Sequence, residues 1–393
     1  MTELISNDHL WYWINNIKNV GRKTINNLFD YFGNLKELYY ADSSQIEYFL
    51  NNNKTRIVLN DFIESRNADT IIKSYDKLSD NNIRFIHRES IDYPERFRNI
   101  PDPPYGLYLK GKLPDQDKKA IAIIGARNST HYGREMARLF ANELSKYGII
   151  IVSGLARGID GRAHAGALEA DKYTLGILGC GIDQVYPKEN YELFIEMEKS
   201  GGILSESNIG IAPNVSLFPQ RNRLISGISD GILVVEAREK SGTFITVDQG
   251  LEQGKEIFAL PGRVLDSNSK GCNNLIKMGA HIVTDTYDIL EVLSCNNYEF
   301  NDNNVKQNGL NNIDKSHSKR SKTDFTKRSM VTKNLLAPVE KIVYSVLSVE
   351  PKFIDDIISE TKIAPQQVCM ILNKLSVDGV VIEPFRNYFS IRL

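Results

Sequence analysis

The sequence predicts an α/β protein built on an extended Rossmann-like, doubly wound and mainly parallel sheet. Seven short apolar runs, most of them β-branched, recur between residues 119 and 295 and are too short for helices. They are Ile121–Ile124, Ile149–Val152, Thr174–Leu178, Ile203–Leu204, Ile232–Val235, Ile257–Leu260 and Ile282–Val283. Amphipathic stretches separate them, and one carries the stripe Met136, Leu139, Phe140 and Leu144. Strands buried on both faces that alternate with helices are typical of a doubly wound sheet.

Two segments precede this domain. Residues 1–80 have helical spacing and predict a small helical domain of the SAM-like or helix-hairpin-helix-like kind. The turn at Asn19–Thr24 resembles a phosphate-binding hairpin but has one glycine instead of two, so a plain helical domain with a glycine turn is the favoured interpretation. Residues 81–118 are predicted to be a connector, since prolines at Pro94 and Pro101–Pro104 favour an extended path.

Two further segments follow the sheet domain. Residues 296–333 are polar, with too few apolar side chains to offset the entropy of ordering, and predict a disordered linker. Residues 334–393 show two apolar helix faces, within 339–347 and 368–375, and a hairpin after them. The order helix, helix, helix, hairpin is the pattern of a winged-helix domain. Its third helix offers Lys374 against nearby acids, so we expect this domain to contact protein more than DNA.

Composition limits the functional classes. The 393 residues are 41% hydrophobic and 25% charged, with a net charge of -1, so a site for a polyanion has to be a local patch. The four cysteines form no CxxC pair, which is typical of reduced cytosolic thiols. No signal segment or membrane-length apolar run is present in the sequence, and we expect a cytoplasmic protein without membrane contact.

Five predicted loops hold the candidate binding residues. In an open α/β sheet, ligands bind outside the carboxyl ends of the strands. Five loops lie there, of which four contain glycine and every one contains an arginine or a lysine. The loops are Gly125–Ser129, Ser153–Gly158, Gly179–Lys188, Phe218–Arg223 and Glu236–Thr243. Glycine lets a backbone approach a ligand and present its N–H groups, and arginine supplies a forked donor for phosphate oxygens. Five such loops on one edge predict a site for a polyanion.

Enzymatic signatures are weak. The sequence contains neither a GxxxxGK[ST] nor a GxGxxG motif, so nucleotide hydrolysis and a dinucleotide cofactor are not expected. Asp160 and His164 share a helical face and could form an acid-base pair. The small residues around them favour a helix pressed on the sheet, with His164 hydrogen-bonded inside. We therefore predict that the protein is not an enzyme and has no catalytic residue, no metal and no cofactor.

The successive motifs resemble one family. They are PPYGLYLKG, IAIIGARNSTHYG, SGLARGIDGRAHAGAL, LGCGIDQVYPKEN, LFPQRNRLISGISDGILVVEAREKSGTFIT and FALPGRVLDSNSKGCNNLIKMGA. In this order they resemble the motifs of the DNA-processing protein A (DprA/Smf) family, closely over residues 119–294. The resemblance implies a protein that binds single-stranded DNA without strong sequence preference, forms homodimers and delivers the strand to a RecA-type recombinase in natural transformation or DNA recombination.

The resemblance also implies functional residues. The family's DNA-facing positions correspond to Arg127, Arg157, Lys188, Phe218 and Arg221. Together with the loop pattern, they give as candidate DNA-binding residues Gly125, Arg127, Asn128, Gly154, Arg157, Gly158, Lys188, Phe218, Arg221, Asn222, Arg223, Ser241, Gly242 and Thr243. Residues two apart on a helix point about 200° away from each other, so we expect Arg221 to touch DNA and Arg223 to brace neighbouring loops. The family often has Ser where Ala126 stands, which removes one hydroxyl donor.

Two interpretations compete with DNA binding. The first is a nucleotide hydrolase of the related lysine-decarboxylase-like (LOG) fold, whose PGGxGTxxE signature needs an acid where this chain has Thr246. The second is a pure protein-interaction adaptor, which predicts that the sheet domain alone does not bind DNA. Phe218 itself is open between a core residue and an exposed face on which a base stacks.

Overall fold

A computed structural model describes residues 5–53, 55, 57–293 and 337–391. The chain divides into two compact units. The first comprises Met1–Ser129 and Met136–Leu293, and the second comprises Thr130–Glu135 and Ser294–Leu393. The linker predicted at 296–333 lies outside the described residues.

Six helices open the first unit. They are α1 (Asn7–Asn16), α2 (Arg22–Phe32), α3 (Leu35–Tyr40), α4 (Ser43–Asn52), α5 (Leu59–Glu64) and α6 (Ala68–Asp80). Side chains cap four of them: Ser6 and Asp42 form capping boxes, and Asn34 and Asn67 accept from the first turn. The six helices share one hydrophobic core with Tyr108 and Ile203 of the sheet. In the structure they therefore belong to the same unit as the sheet.

A sheet of nine strands forms the body of the first unit. The strands are β1 (Arg84–His87), β2 (Gly106–Gly111), β3 (Ala120–Ile124), β4 (Ile150–Ser153), β5 (Thr174–Leu178), β6 (Gly202–Ser205), β7 (Gly231–Val234), β8 (Glu256–Ala259) and β9 (His281–Ile282), in the order β1-β2-β6-β5-β4-β3-β7-β8-β9. Strands β3 to β9 pair in parallel, which confirms the predicted α/β class and mainly parallel sheet. Because β3 lies between β4 and β7, the strand order reverses there, and ligands bind at such a switch point.

Helices connect and follow the strands. They are α7 (Glu95–Arg98), α8 (His131–Lys146), α9 (Ile159–Glu169), α10 (Tyr191–Ser200), α11 (Leu217–Ile228), α12 (Thr243–Glu252), α13 (Lys270–Lys277) and α14 (Thr286–Leu293), with a 3₁₀ turn at Lys188–Asn190. Over the described residues, no helix combines the length and the apolar character that crossing a membrane requires.

The segment predicted to be a connector is part of the sheet. Strands β1 and β2 pair antiparallel with each other, and β2 pairs antiparallel with β6. Tyr93, Phe97 and Leu107 are buried in the core. The prolines of 101–104 lie in the loop between β1 and β2, where no ladder hydrogen bond is lost, so they did not exclude strands on either side.

The second unit has its own small core. Its described elements are α15 (Pro338–Ser345), β10 (Lys352–Phe353), α16 (Ile354–Thr361), α17 (Pro365–Val377), β11 (Val381–Phe385) and β12 (Tyr388–Ile391), and the sheet order is β10-β12-β11. Val343, Ile357 and Leu372 are fully buried between the helices and the hairpin. On the third helix, Lys374 forms an ion pair with Glu340. The assignment as a winged-helix domain stays a prediction.

The burial of 81–118 is open to a stability test. Phe97 is fully buried, and replacing a buried Phe by Ala typically costs about 3–5 kcal/mol, so Phe97→Ala should lower the free energy of unfolding by that order. Ile91 lies in the same segment and is 97% exposed, so Ile91→Ala should change stability by less than about 0.5 kcal/mol. Urea unfolding of both variants measures the difference, and equal stabilities would show that the segment is a mere tether.

Candidate nucleic-acid interface

The loops that follow β3, β4, β5 and β7 meet at one edge of the sheet and enclose two adjoining cavities. The first has a volume of about 270 Å³ and is lined by Arg127, Asn128, Gly154, Ala156, Arg157, Leu178, Gly179, Cys180, Tyr186, Pro187, Phe218 and Arg221. The second, of about 490 Å³, adds Gly125, Asn222, Arg238, Lys240, Ser241, Gly242 and Thr243 to its lining. Both cavities share Arg127 and Phe218, so they are the two halves of one groove.

Phe218 divides the two halves of the groove. Its ring lies 5.9 Å from that of Tyr186, at an interplanar angle of 28°. The guanidinium of Arg127 lies 4.6 Å from the centre of the Phe218 ring, within cation-π range. A side chain at Gly179 would come within 3.1 Å of the ring, so this glycine allows its close approach. Phe218 is half-buried. It is therefore neither a plain core residue nor a fully exposed ring, the two interpretations that the sequence left open.

Arg221 lies under the groove. Only 6% of Arg221 is exposed, and its guanidinium donates a hydrogen bond to the carbonyl oxygen of Ile177. A side chain at Gly154 would collide with that guanidinium. The glycine therefore allows the loop after β4 to pack directly over the Arg221 side chain. Burial lowers the pKa of Arg221 to about 10, and the charge of Asp160 opposes the shift. Arg221 is thus charged at neutral pH and acts on the groove mainly as a buried positive charge.

Arg223 points away from the groove. It lines neither cavity, and its Nη2 lies 2.7 Å from Oε2 of Glu206 in an ion pair. This placement follows from the two-residue helical offset between Arg221 and Arg223. We therefore leave Arg223 out of the proposed DNA-contacting surface, although the candidate set from the sequence included it.

Two other predicted cations are exposed. Arg157 lines the first cavity, and its Nη2 lies 2.7 Å from Oε1 of Glu189. Lys188 follows Pro187 at the start of the 3₁₀ turn and is exposed beside the first cavity rather than in it. A phosphate that bound Arg157 would compete with the Glu189 carboxylate for the same guanidinium.

Two glycines of the predicted loops allow neighbouring backbone segments to approach closely. Gly158 has a φ of 77°, and a side chain there would meet the carbonyl oxygen of Arg127 at 2.6 Å. At Gly125, a side chain would meet the carbonyl oxygen of Glu236 at 2.9 Å. These two glycines bring neighbouring loops together, and Gly158 lines neither half of the groove.

The second half of the groove ends at the N-terminus of α12. The hydroxyl of Ser241 accepts from the backbone N–H of Thr243 at 3.2 Å, which fixes the turn around Gly242. Arg238 and Lys240 are exposed on the same wall. Their positive charges and the helix N-terminus favour an anion here.

The candidate set from the sequence omitted Tyr186, Arg238 and Lys240. Tyr186 is 40% exposed and presents the most accessible aromatic surface of the first cavity. An aromatic residue within a predicted basic loop, next to Pro187 and Lys188, was the available signal. Its distance to Phe218 depends on the packing of two loops that are more than thirty positions apart in the sequence, and spacing alone does not specify that.

Asp160 and His164 do not form a catalytic pair. His164 is fully buried, and its Nδ1 lies 2.7 Å from the hydroxyl of Thr174, whereas the Asp160 carboxylate accepts from the N–H of Gly154 at 3.1 Å. Burial lowers the pKa of His164 to about 3, and burial raises the pKa of Asp160. Among the described residues, no group of three or more His, Cys, Asp or Glu side chains could hold a metal ion.

The fold and the groove define a class of protein: a doubly wound α/β protein with a basic, partly aromatic groove at the carboxyl edge of its sheet. A sequence model of the family described as DNA recombination-mediator protein A matches residues 84–294. The chain belongs to this family, which confirms the resemblance to DNA-processing protein A and associates the chain with DNA processing.

Relatives and a solved structure agree with this assignment. The DNA processing protein DprA of Bacillus subtilis is 41% identical over 219 residues, which cover 56% of this chain and 74% of that protein. Protein Smf of Synechocystis is 30% identical over 402 residues, covering 98% of this chain and 99% of that protein. The X-ray structure of DNA processing protein A from Streptococcus pneumoniae matches with a TM-score of 0.52 and 30% identity, over 70% of this chain and 98% of that one.

The burial of His164 predicts a pH dependence of stability. Its folded pKa of about 3 lies below the ordinary value of 6.5, so the unfolded chain binds a proton that the folded chain does not. This residue therefore makes the free energy of unfolding fall as the pH decreases from 6.5, by up to about 1.4 kcal/mol per pH unit. Urea unfolding at about pH 7 and about pH 5.5 should show a smaller pH effect in His164→Gln than in the wild type.

The exposed His281 provides the control for this measurement. His281→Gln should keep most of the wild-type difference between the two pH values. An identical pH effect in the wild type and in His164→Gln would contradict the assignment of a neutral, buried imidazole.

Proposed function

We propose that the chain binds single-stranded DNA along the groove, without strong sequence preference, and is not an enzyme. The observation that carries this proposal is the joint presence of exposed cations and an aromatic pair on one groove. Arg127, Arg157 and Lys240 offer positive charge to phosphates, and Tyr186 and Phe218 offer ring surface to bases. Stacking is sequence-tolerant, since every base has a π-face, and contributes about 1–3 kcal/mol per base.

The wider role follows from the family. We infer that the chain acts in the cytoplasm as a homodimer and delivers the bound strand to a RecA-type recombinase, in natural transformation or DNA recombination. The description of the family as a recombination mediator supports this role. We also propose that the second unit is a winged-helix domain that contacts protein more than DNA, since its Lys374 is engaged by Glu340.

An enzymatic role has less support. The proposed alternative, a nucleotide hydrolase of the lysine-decarboxylase-like fold, needs an acid after the Gly-Thr turn, and this chain has a buried Thr246 there. Asp160 lines the second cavity but is buried and hydrogen-bonded to Gly154. Release of base from nucleoside monophosphates by the purified protein would favour the hydrolase over the DNA-binding proposal.

Strand preference tests the proposal directly. The groove offers rings to bases that are accessible only when unpaired, so we expect tighter binding to single-stranded than to duplex DNA of the same sequence. A mobility-shift assay on both forms measures this, with several base compositions as the control for sequence dependence. Equal affinity for both forms would overturn the proposal.

Salt dependence tests the cations. Arg127, Arg157, Lys188 and Lys240 would neutralise about four phosphates, and each contact contributes roughly -0.7 to the slope of log K against log salt, so the slope should be about -3. Arg127→Ala should flatten it by about 0.7 and weaken binding. An exposed arginine outside the groove, Arg84, provides the control, and Arg84→Ala should leave the slope unchanged. An unchanged slope in Arg127→Ala would remove Arg127 from the site.

The aromatic pair has its own test. Because Tyr186 is 40% exposed and lies over Phe218, Tyr186→Ala should weaken single-stranded DNA binding by about 1–3 kcal/mol, without altering the salt slope. Tyr186→Phe keeps the ring and should bind like the wild type. Fluorescence anisotropy with labelled oligothymidylate measures both. A loss of affinity in Tyr186→Phe would assign the effect to the hydroxyl instead of the ring.

A further inference from the structure

Two arginines and two carboxylates form an ion-pair cluster outside the groove: Arg22, Asp102, Glu206 and Arg223. We propose that Glu206 is a positioning residue that holds α11 where Phe218 and Arg221 face the groove, and that through Arg22 it makes this placement depend on the N-terminal helices. The inference rests on the proposed function, since the groove is taken as the DNA-binding surface.

The cluster joins four segments of the chain. The Nη2 of Arg223, on α11, lies 2.7 Å from both carboxylate oxygens of Glu206, just after β6. The Nη1 of Arg22, the first residue of α2, lies 3.2 and 3.1 Å from the same two oxygens. Asp102, in the loop before β2, lies 2.8 Å from Nη2 of Arg22 and 3.8 Å from Nε of Arg223. Glu206 and Asp102 therefore both bridge Arg22 and Arg223, and Glu206 makes the shorter contact with the charge on α11.

The location of Arg223 explains why this carboxylate matters for the groove. Arg223 is two residues after Arg221, so the two side chains leave α11 on opposite sides. Arg221 is held under Gly154, and Arg223 is held by the cluster with 7% of its side chain exposed. A buried charge that loses its partner is strongly destabilising. Without the Glu206 charge, Arg223 keeps only the longer contact with Asp102 and gains by moving towards water, and we expect the start of α11 to shift with it.

A second contact holds the same loop. Asn15 of α1 donates from Nδ2 to Oδ1 of Asn208 at 3.2 Å, and Asn208 donates back to the carbonyl oxygen of Asn15 at 3.0 Å. The loop that begins at Glu206 leads directly to α11 and Phe218. The N-terminal helices therefore fix the start of the segment that carries the aromatic residue of the groove. Arg22 is held by Glu206 and Asp102, so the glycine turn before α2 does not present a free arginine to a phosphate.

The charge of Glu206 is open to titration. The charged or titratable groups that face it are Arg22 from α2, Asp102 from the loop before β2, Arg223 from α11 and Tyr93 from the segment after β1. Burial raises the pKa of Glu206 to about 7, Arg22 opposes the shift and Asp102 adds to it. Glutamine has the shape of the protonated carboxyl group. Glu206→Gln should therefore differ from the wild type at alkaline pH and resemble it at acidic pH.

The experiment compares Glu206→Gln with the wild type, using a labelled oligothymidylate as the probe. At about pH 8 we expect the Kd of the variant to be about tenfold higher, equivalent to about 1.4 kcal/mol. At about pH 6 the ratio of the two Kd values should approach one, because the wild-type carboxyl is then protonated. A structural role in packing alone would give a ratio that does not change with pH, and that result would overturn the proposal.

A matched control removes a different carboxylate charge. Glu169 ends α9 and lies 2.6 Å from Nη1 of Arg138 in an ion pair remote from the groove. Glu169→Gln should leave the Kd within about twofold of the wild type at both pH values. Arg22→Gln keeps the Glu206–Arg223 pair but removes the link to α2, so it should weaken binding in the same direction and by less than Glu206→Gln. Unchanged binding in Arg22→Gln would overturn the part of the proposal by which Arg22 makes the placement of α11 depend on α2.

A measurement without DNA separates this proposal from the proposed function. Hydrogen–deuterium exchange of peptides covering residues 217–228 reports on α11 directly. We expect faster exchange there in Glu206→Gln than in the wild type or in Glu169→Gln, whereas peptides of α13 should not change. Failure of the wild type to bind single-stranded DNA would overturn the proposed function, and this exchange result would still decide whether Glu206 holds α11. Unchanged exchange in α11 would overturn the positioning role even if DNA binds.

Discussion

The architecture of the groove depends on one buried positive charge. The guanidinium of Arg221 sits between the carbonyl oxygen of Ile177 and the loop at Gly154, near the carboxylate of Asp160. A guanidinium removed from water needs acceptors and counter-charge, and here Ile177 of β5 supplies the acceptor and Asp160 of α9 the counter-charge. Arg221 lies on α11 three residues after Phe218, so its hydrogen bond to Ile177 also restricts the position of that ring. Phe218 and the walls of both cavities are therefore placed by the way this charge is accommodated.

The groove has features that suit an unpaired polyanion. Its outer cations, such as Arg127 and Lys240, are exposed, where an ion pair with a phosphate is weak and depends on salt. Its inner surface is aromatic, and the Arg127–Phe218 contact shows that a flat cation already occupies the ring in the free protein. Under the proposed function, a base that stacks on this face of Phe218 would replace the guanidinium, which leaves Arg127 available to a phosphate.

The sequence predicted the sheet well and the site incompletely, for physical reasons. Six of the seven parallel strands, β3 to β8, coincide with apolar runs, because a strand buried on both faces needs nearly continuous apolar residues. The edge strand β9 is exposed and overlaps its predicted run only at Ile282. Strands β1 and β2 were missed, since prolines between them favoured a connector. The loops with Arg127 and Arg157 were predicted because parallel strands end at one edge, whereas Phe218 was selected mainly from the family resemblance. The burial of Arg221 and the exposure of Tyr186 depend on the packing of loops distant in sequence, which spacing does not specify.

Arg221 and Arg223 lie on the same helix, α11, and have different partners. Through them, α11 connects the groove to the rest of the first unit. Both side chains are buried, and each is held by a different part of the chain: Arg221 by the edge of the sheet, Arg223 by Glu206 and, through it, by Arg22 of α2. A helix fixed on both sides has little freedom to adjust when a strand binds at its N-terminus. Low freedom reduces the entropy lost on binding, which is the general advantage of a preorganised site. Under the proposed function, the N-terminal helices would contribute to DNA affinity by holding α11 in place, without touching the strand.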